Sequence, residues 1–266
     1  MTADQRRRRF LASLSAVAAT GVAGCLGGGA GDGRPTEDPT STDAATGTDR
    51  SAEDTPGTGE KHKDEGDSST ATTRTDPHTV EFESPAGTTV TGTIAGAGNC
   101  GVIFVPQIDR DRESWRPQVE QYAAAGHRVL AIDEGEHKTA AVLGAVSYLQ
   151  DEGIQQLVVV GASSGAEAAV EAAGRELAID AVAALSPGGG VEAAGSLDAR
   201  LFVAVSMGDD DRFVDTAERL HEAARGPKRL VRLEGDAHGQ GIFETEQGDR
   251  LRRLLGRFVT TACGEQ

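Results

Sequence analysis

Short apolar runs that alternate with helical stretches restrict the fold of this chain more than any other feature. From residue 78 onward six such runs occur, at Val102–Val105, Arg128–Ile132, Leu157–Val160, Ala181–Leu185, Leu201–Ser206 and Arg229–Leu233. Helical candidates lie near Ser114–Ala125, Lys138–Asp151, Ser164–Gly174, Phe213–Arg225 and Glu246–Phe258. Continuous apolar strands that alternate with helices indicate a mainly parallel sheet covered on both faces.

Two further β-rich segments precede these runs and bring the predicted strand count to eight. Thr79–Ser84 and Thr88–Ala95 are joined by Pro85-Ala86-Gly87, which is typical of a hairpin turn. The sequence therefore predicts an α/β fold for residues 78–266, a three-layer α/β/α sandwich around a mostly parallel sheet of eight strands.

The first 25 residues predict an export signal. Arg7-Arg8-Arg9-Phe10-Leu11 matches the twin-arginine pattern, and a mild apolar stretch follows it to Ala23. Val22-Ala23-Gly24-Cys25 resembles a lipobox, in which small residues admit a peptidase and the thiol of Cys25 is alkylated by lipid. We therefore expect an exported protein that a lipid on Cys25 anchors to the outer face of the cell membrane.

Residues 26–77 predict a disordered acidic linker between this signal and the globular domain. Residues 27–77 contain no Val, Ile, Leu, Met, Phe, Trp or Tyr, and Thr, Asp, Gly, Ser and Pro dominate. Such a segment cannot bury enough apolar surface to offset the entropy of ordering it.

The charge balance points away from nucleic acid and towards a salt-rich environment. The net charge is −16, whereas phosphate binding requires clustered positive charge. Only Lys61, Lys63, Lys138 and Lys228 are lysines, and Asn99 is the single asparagine. High charge of one sign keeps a chain soluble where salt screens repulsion, which favours a haloarchaeal source. An ordinary acidic protein from a GC-rich genome is the alternative.

One segment carries the pattern of a nucleophile. Gly161-Ala162-Ser163-Ser164-Gly165 follows the apolar run Leu157–Val160 and precedes an alanine-rich helix, so G-x-S-x-G stands between a strand and a helix. Such a turn projects the hydroxyl of Ser163 at a helix N-terminus, where the N–H of Ser164 favours negative charge on an oxyanion. A tight βα turn or a phosphate-binding loop is the alternative interpretation.

A base and an acid follow in chain order. His238 lies in a glycine-rich loop after the last strand, where a general base is expected. The strand before it leads into Met207-Gly208-Asp209-Asp210-Asp211, and a carboxylate there orients the imidazole.

On these residues the globular region resembles the α/β-hydrolase family, as a small dienelactone-hydrolase-like or esterase-like member. The resemblance implies an antiparallel second strand and an acid in the loop after the seventh strand. It implies Ser163 as nucleophile, His238 as base and Asp211 as acid, since the family pattern G-x-x-D selects Asp211, with Asp210 as the alternative. Dienelactone hydrolases use a cysteine nucleophile, so their substrate is not carried over.

The second oxyanion donor is expected after the third strand. The family often has His-Gly there, whereas this chain has Pro106-Gln107-Ile108, which aligns with Gln-Glu-Ile of the dienelactone-like subgroup. The resemblance therefore implies the backbone N–H of Ile108 as the donor, with Gln107 beside it. Only Ser186–Arg200 separates the sixth and seventh strands, which leaves no room for a cap domain.

The predicted function is hydrolysis of carboxylic esters on small or exposed substrates, through an acyl-enzyme. A ligand- or partner-binding module without turnover is the alternative, which the replacement of His-Gly favours. We expect no cofactor and no metal. Cys100 and Cys263 remain once Cys25 is lipidated, and whether they pair is left open by the sequence.

Overall fold

Eight strands form one sheet in the computed structural model, which describes residues 76–264. The strands are β1 (His78–Glu83), β2 (Thr89–Ala95), β3 (Cys100–Val105), β4 (Arg128–Ile132), β5 (Gln156–Ala162), β6 (Ala181–Leu185), β7 (Arg200–Ser206) and β8 (Lys228–Leu233). Their spatial order is β1-β2-β4-β3-β5-β6-β7-β8. Strand β2 is antiparallel to both of its neighbours, and the pairs from β4 through to β8 are parallel. The prediction of eight mostly parallel strands is confirmed.

Within residues 76–264, six α-helices connect and cover these strands. They are α1 (Arg116–Ala124), α2 (Lys138–Asp151), α3 (Ser164–Arg175), α4 (Val191–Ala194), α5 (Asp211–Ala223) and α6 (Gly248–Cys263). Two 3₁₀ segments, Arg112–Trp115 and Gly239–Glu244, precede α1 and α6. The last helix extends five residues beyond its predicted end at Phe258.

The core consists of two apolar layers, one on each face of the sheet. On one face α2, α3 and α5 pack through buried residues such as Val142, Ala169 and Leu220. On the other face α1 and α6 contribute Val119 and Leu255. Every residue of β3 and β6 is buried, as expected for central strands covered twice, whereas half-buried and exposed positions alternate along the edge strand β1.

The connection between β6 and β7 contains only the four-residue helix α4, so the predicted lack of a cap domain is confirmed. Among residues 76–264 there is no helix that is both long and apolar enough to cross a membrane. The predicted signal segment 1–25, the lipid-attachment residue Cys25 and all but the last two residues of the predicted linker 26–77 lie outside the described residues.

Candidate active site

Ser163 lies at the turn between β5 and α3, in a backbone conformation that residues with a side chain seldom adopt. Its φ is 51° and its ψ is −113°, a combination that costs of order 1–3 kcal/mol and persists only where the surroundings impose it. The surroundings do impose it, because its N–H donates to the carbonyl of Leu185 and its carbonyl accepts from Ala166, Glu167 and Gly188. Only 8% of Ser163 is exposed.

Two glycines make this turn sterically possible. A Cβ added to Gly161 would lie 2.2 Å from the carbonyl oxygen of Gly165, and one added to Gly165 would lie 2.3 Å from that of Pro106. Both distances are shorter than any real contact, and the obstructing atoms are backbone. The first and last positions of G-x-S-x-G are therefore required by packing between β5, α3 and the segment after β3.

Ser186, at the end of the neighbouring strand β6, was not singled out by the sequence. It and Ser163 are the two residues other than glycine with a positive φ in the described chain, and its φ is 44°. Its hydroxyl is fully buried without a hydrogen-bond partner among residues 76–264. Backbone strain is thus concentrated at the ends of two adjacent strands.

His238 is paired with a carboxylate. Its Nδ1 lies 2.8 Å from Oδ2 of Asp209, whose side chain is 5% exposed. A proton on Nδ1 shared with this carboxylate leaves the lone pair of Nε2 free to accept a proton. The ring of Phe213 packs against the imidazole with 4.0 Å between the ring centroids. The imidazole is therefore held by this ring as well as by Asp209.

The carboxylate that contacts His238 belongs to neither Asp211 nor Asp210, so the predicted pairing of the imidazole with one of these two was wrong. Asp211 is the first residue of α5 and is exposed. Asp210 is the N-cap of that helix, and its carboxylate accepts the backbone N–H of Arg212. Since a helix N-cap favours an acidic side chain, the helix engages Asp210, and Asp209 is left to face the imidazole.

Direct hydrogen bonds join the loop of the acid to residues 234–240, the histidine loop. The hydroxyl of Ser206 donates to the carbonyl of Ala237 over 2.7 Å, and the N–H of Gly208 donates to the carbonyl of Gly235 over 2.8 Å. The position of Asp209 relative to His238 is therefore set by one side-chain and one backbone hydrogen bond to carbonyls of the histidine loop.

The histidine loop also reaches the turn at Ser163, which is the turn of the candidate nucleophile. A Cβ added to Gly239 would lie 3.5 Å from Cβ of Ala162, so the residue after His238 packs against the residue before Ser163. Within the described residues no hydrogen bond joins the hydroxyl of Ser163 to His238. Catalytic hydrogen bonds are often longer before substrate binds, so this geometry is compatible with a nucleophile and its base.

Residues 106–109, the oxyanion loop, present a free backbone donor. The carbonyl of Gln107 accepts from the N–H of Arg110 over 2.9 Å, whereas the N–H of Ile108 has no acceptor among the described residues. The side chain of Ile108 is 74% exposed. An amide hydrogen bond from Gln107 lowers the pKa of the Asp109 carboxyl, and the nearby His238 lowers it further.

Comparison with known proteins identifies the fold. Neither a protein-family model nor a curated protein sequence matches this chain. Among solved structures, an esterase of Pyrococcus furiosus is similar at 18% identity and a TM-score of 0.60, over 68% of this chain and 92% of its own. A dienelactone hydrolase of Anabaena variabilis is similar at 19% identity and a TM-score of 0.59, over 70% and 97%. The chain has the α/β-hydrolase fold.

Other neighbours with this fold carry different activities in their names. The esterase domain of a Rhodothermus marinus protein is similar at 16% identity and a TM-score of 0.60, over 71% of this chain and all of that domain. A Pyrococcus horikoshii acylaminoacyl peptidase is similar at 12% identity and a TM-score of 0.59, over 71% of this chain and 42% of its own. At such identities the likeness establishes the α/β-hydrolase fold, and function has to be argued from the site.

A buried carboxylate that the sequence did not reveal lies beside the turn at Ser163. Ser164 donates its hydroxyl to both oxygens of Glu134, at 3.0 and 3.1 Å. Glu134 follows β4 and is 8% exposed, and Nζ of Lys138 lies 3.3 Å from its Oε1. Burial raises the pKa of Glu134, while Ser164 and Lys138 oppose that rise. Ser164, whose backbone N–H is the expected oxyanion donor, therefore has its side chain held by the Glu134 carboxylate. Lys138 compensates part of the negative charge of that carboxylate.

A disulfide lies at the beginning of β3, at the end of the strand away from residues 106–109. Cys100, the first residue of β3, is bonded to Cys263, the last residue of α6, with 5.6 Å between their Cα atoms. The sequence left this pairing open, and the structure shows it. Nδ1 of His127 lies 3.8 Å from Sγ of Cys263. These three residues are near enough together for a metal site, but the two sulfur atoms are bonded to each other and do not offer two thiolates.

Proposed function

We propose that this protein is a serine hydrolase that cleaves carboxylic esters through an acyl-enzyme. The observation that carries the proposal is the buried, strained Ser163 beside a loop in which His238 is paired with Asp209. A serine hydroxyl is a weak nucleophile by itself, and an adjacent base oriented by a third group is the arrangement that activates it.

In the proposed reaction the hydroxyl oxygen of Ser163 attacks the ester carbonyl carbon while its proton passes to Nε2 of His238. The carbonyl oxygen becomes an oxyanion and accepts hydrogen bonds from the N–H groups of Ile108 and Ser164. The bond from carbon to the alcohol oxygen then breaks, and the imidazolium returns the proton to that oxygen. Water repeats the sequence on the acyl-enzyme, which releases the carboxylic acid and restores Ser163. The carboxylate of Asp209 stabilises the imidazolium.

The open surroundings of the site support small or surface-accessible esters as substrates. The α4 connection supplies only four helical residues, and the N–H of Gly188 within it is bonded to the carbonyl of Ser163. Ile108 and Met207, which are 74% and 49% exposed, offer apolar surface to a substrate at the ends of β3 and β7. A site without a cap favours substrates that need no enclosure.

The first test is reaction of the full chain with a fluorophosphonate probe in molar KCl. The parent is compared with Ser163→Ala and His238→Ala, and with Ser196→Ala, which removes an exposed serine near α4. We expect the parent and the Ser196→Ala variant to be labelled and the other two to remain unlabelled. Labelling would justify a series of p-nitrophenyl esters of increasing chain length. An unlabelled parent that is folded by circular dichroism would contradict the proposal and favour a binding module without turnover.

We also propose that the enzyme acts outside the cell, anchored by a lipid on Cys25 and extended from the membrane by residues 26–77. The sequence patterns of residues 1–25 support this location. The Cys100–Cys263 disulfide also supports it, since such bonds persist in oxidising compartments. We expect Cys25→Ser to release the protein from the membrane fraction of its host. Retention of that variant in the membrane fraction would rule out lipidation as the anchor.

A further inference from the structure

We propose that Gln107 and Gln240 are positioning residues that hold the oxyanion loop and the histidine loop at one fixed separation. The inference rests on the proposed hydrolase function and assigns to these glutamines a role in its rate. Neither side chain is proposed to touch the reacting atoms.

The two glutamines form a reciprocal pair of hydrogen bonds between segments that are 133 residues apart. The backbone N–H of Gln107 donates to Oε1 of Gln240 over 3.2 Å. The backbone N–H of Gln240 donates to Oε1 of Gln107 over 3.1 Å. Each side chain thus accepts from the main chain of the other residue, so both backbones are fixed rather than only the side chains.

On the oxyanion side the pair acts together with Arg110 to orient the N–H of Ile108. A trans peptide is planar, and its C=O and N–H point in opposite directions. The carbonyl of Gln107 is held by Arg110, and the N–H of Gln107 is held by Gln240, so both peptide groups of Gln107 are fixed. The exposed side chain of Ile108 contributes no packing that would do this instead.

On the histidine side the pair requires a close backbone approach at Gly239. Its φ is +54°, and a Cβ at this position would lie 2.6 Å from Oε1 of Gln107. The residue between His238 and Gln240 must therefore be glycine for the hydrogen bonds to form. The two loops therefore touch each other directly beside His238, the proposed base.

Burial and a third hydrogen bond keep Gln240 in place. The residue is 3% exposed, and its Nε2 donates to the hydroxyl of Ser114 over 2.8 Å. The half-buried amide of Gln107 is also engaged through its nitrogen, since its Nε2 donates to Oδ1 of Asp109 over 2.9 Å. Buried polar groups whose partners are all satisfied rigidify a site, and loss of one partner leaves the other unsatisfied.

The test replaces each amide by an apolar chain of similar length, in Gln107→Met, Gln240→Met and the double variant. Initial rates of p-nitrophenyl acetate hydrolysis give kcat and KM, and thermal unfolding gives Tm. Gln121→Met, an exposed glutamine on α1, is the matched control. Misplacement of a donor or base by about 1 Å costs about 100-fold. We therefore expect each single variant to lower kcat about 10- to 100-fold with KM changed less than about threefold.

The double variant distinguishes a coupled pair from two separate effects. Because each glutamine acts through the other, the double variant should lose little more than either single variant. Multiplied losses in the double variant, or parental kcat in either single variant, would overturn the positioning role. If a methionine variant does not fold, Gln240→Asn withdraws the same amide by one methylene, and parental kcat in that variant would likewise overturn it.

The parent enzyme separates failure of this inference from failure of the proposed function. A parent that neither reacts with the fluorophosphonate probe nor hydrolyses the ester overturns both. A parent that reacts, with glutamine variants that differ from it only in Tm, overturns the positioning role alone and leaves the hydrolase intact.

Discussion

Strand β3 has a different kind of constraint at each of its ends. At its beginning Cys100 is joined covalently to the end of α6, in surroundings where both sulfur-bearing residues are buried. At its other end it leads into Gln107 and Ile108, which are held only by hydrogen bonds and in part exposed. We expect the covalent end to serve stability and the hydrogen-bonded end to serve the geometry of the site. Substitutions at the two ends should therefore change different measured quantities, the free energy of unfolding at the first end and kcat at the second.

The largest effect at the candidate active site, which the hydrogen-bonded end of β3 borders, is expected from Asp209→Asn. An amide at this position holds the imidazole in the wrong tautomer, and the corresponding change in a serine protease lowers kcat by about 10⁴-fold. We expect a loss of about 10³- to 10⁴-fold in ester hydrolysis, measured as kcat at saturating substrate, with Tm little changed.

The neighbouring aspartates provide the control for this prediction. Asp211→Asn removes an exposed carboxylate that does not contact His238, and its kcat should stay within about twofold of the parent. A greater loss from Asp211→Asn than from Asp209→Asn would show that the pairing described here is not the one used in catalysis.

The difference between Asp209 and Asp211 also shows how much of the site could be predicted from the sequence. The alternation of apolar runs predicted the sheet, and G-x-S-x-G between β5 and α3 predicted the strained turn at Ser163. The acid was assigned wrongly because three adjacent aspartates offer similar chemistry, and their roles depend on the residue at which α5 begins. Moving that boundary by two residues from the predicted Phe213 makes Asp210 the cap and frees Asp209.

Features that depend on distance in space were not predictable from the sequence. Gln107 and Gln240 are far apart in the chain, and neither belongs to a motif that would join them. The pairing of Cys100 with Cys263 needed their Cα atoms to be close, and that in turn depended on α6 continuing to Cys263. The buried Glu134 was missed because its surroundings include Ser164, which lies 30 residues further along the chain.

The covalent end should show the second largest effect, on stability alone. The disulfide joins residues 163 positions apart, and the closure of so long a loop restricts the unfolded chain strongly. We expect the double variant Cys100→Ala, Cys263→Ala to lose about 3–5 kcal/mol of unfolding free energy, measured by denaturant titration in high salt. Its kcat in the absence of denaturant should equal that of the parent. A parallel loss of kcat would mean that the two ends of β3 are coupled.

A third prediction concerns the strain at Ser163. Glycine adopts a positive φ without a steric penalty, so Ser163→Gly should raise the free energy of unfolding by about 1–2 kcal/mol while it abolishes ester hydrolysis. Denaturant titration of Ser163→Gly beside Ser163→Ala isolates the backbone contribution, because alanine lacks the hydroxyl but keeps the strain. Equal stability of these two variants would show that the turn stores no strain.

The smallest effect is expected from Glu134→Gln and should depend on pH. Because the folded-state pKa of Glu134 is raised by burial, the folded protein binds its proton more tightly than the unfolded chain does. The carboxylate therefore lowers stability as pH rises from its ordinary value of 4.5 through the raised one. We expect Tm of the variant relative to the parent to increase between pH 4 and pH 8, by roughly 2–4 °C for about 1 kcal/mol.

The control for this pH dependence is Glu136→Gln, which neutralises an exposed carboxylate two residues away. Its Tm difference from the parent should be nearly constant over the same range. A difference that decreases with pH for Glu134→Gln would mean that Lys138 and Ser164 outweigh burial.

The brevity of the α4 connection has a consequence for protein engineering. Gly161, Gly165 and Gly239 leave no room for added atoms at the nucleophile turn or between the loops that surround it. The segment from Gly188 to Ser196 borders the same turn yet contains a helix of only four residues. It is the natural insertion point for a designed lid. Selectivity for larger substrates can be built there without altering the residues that perform the chemistry.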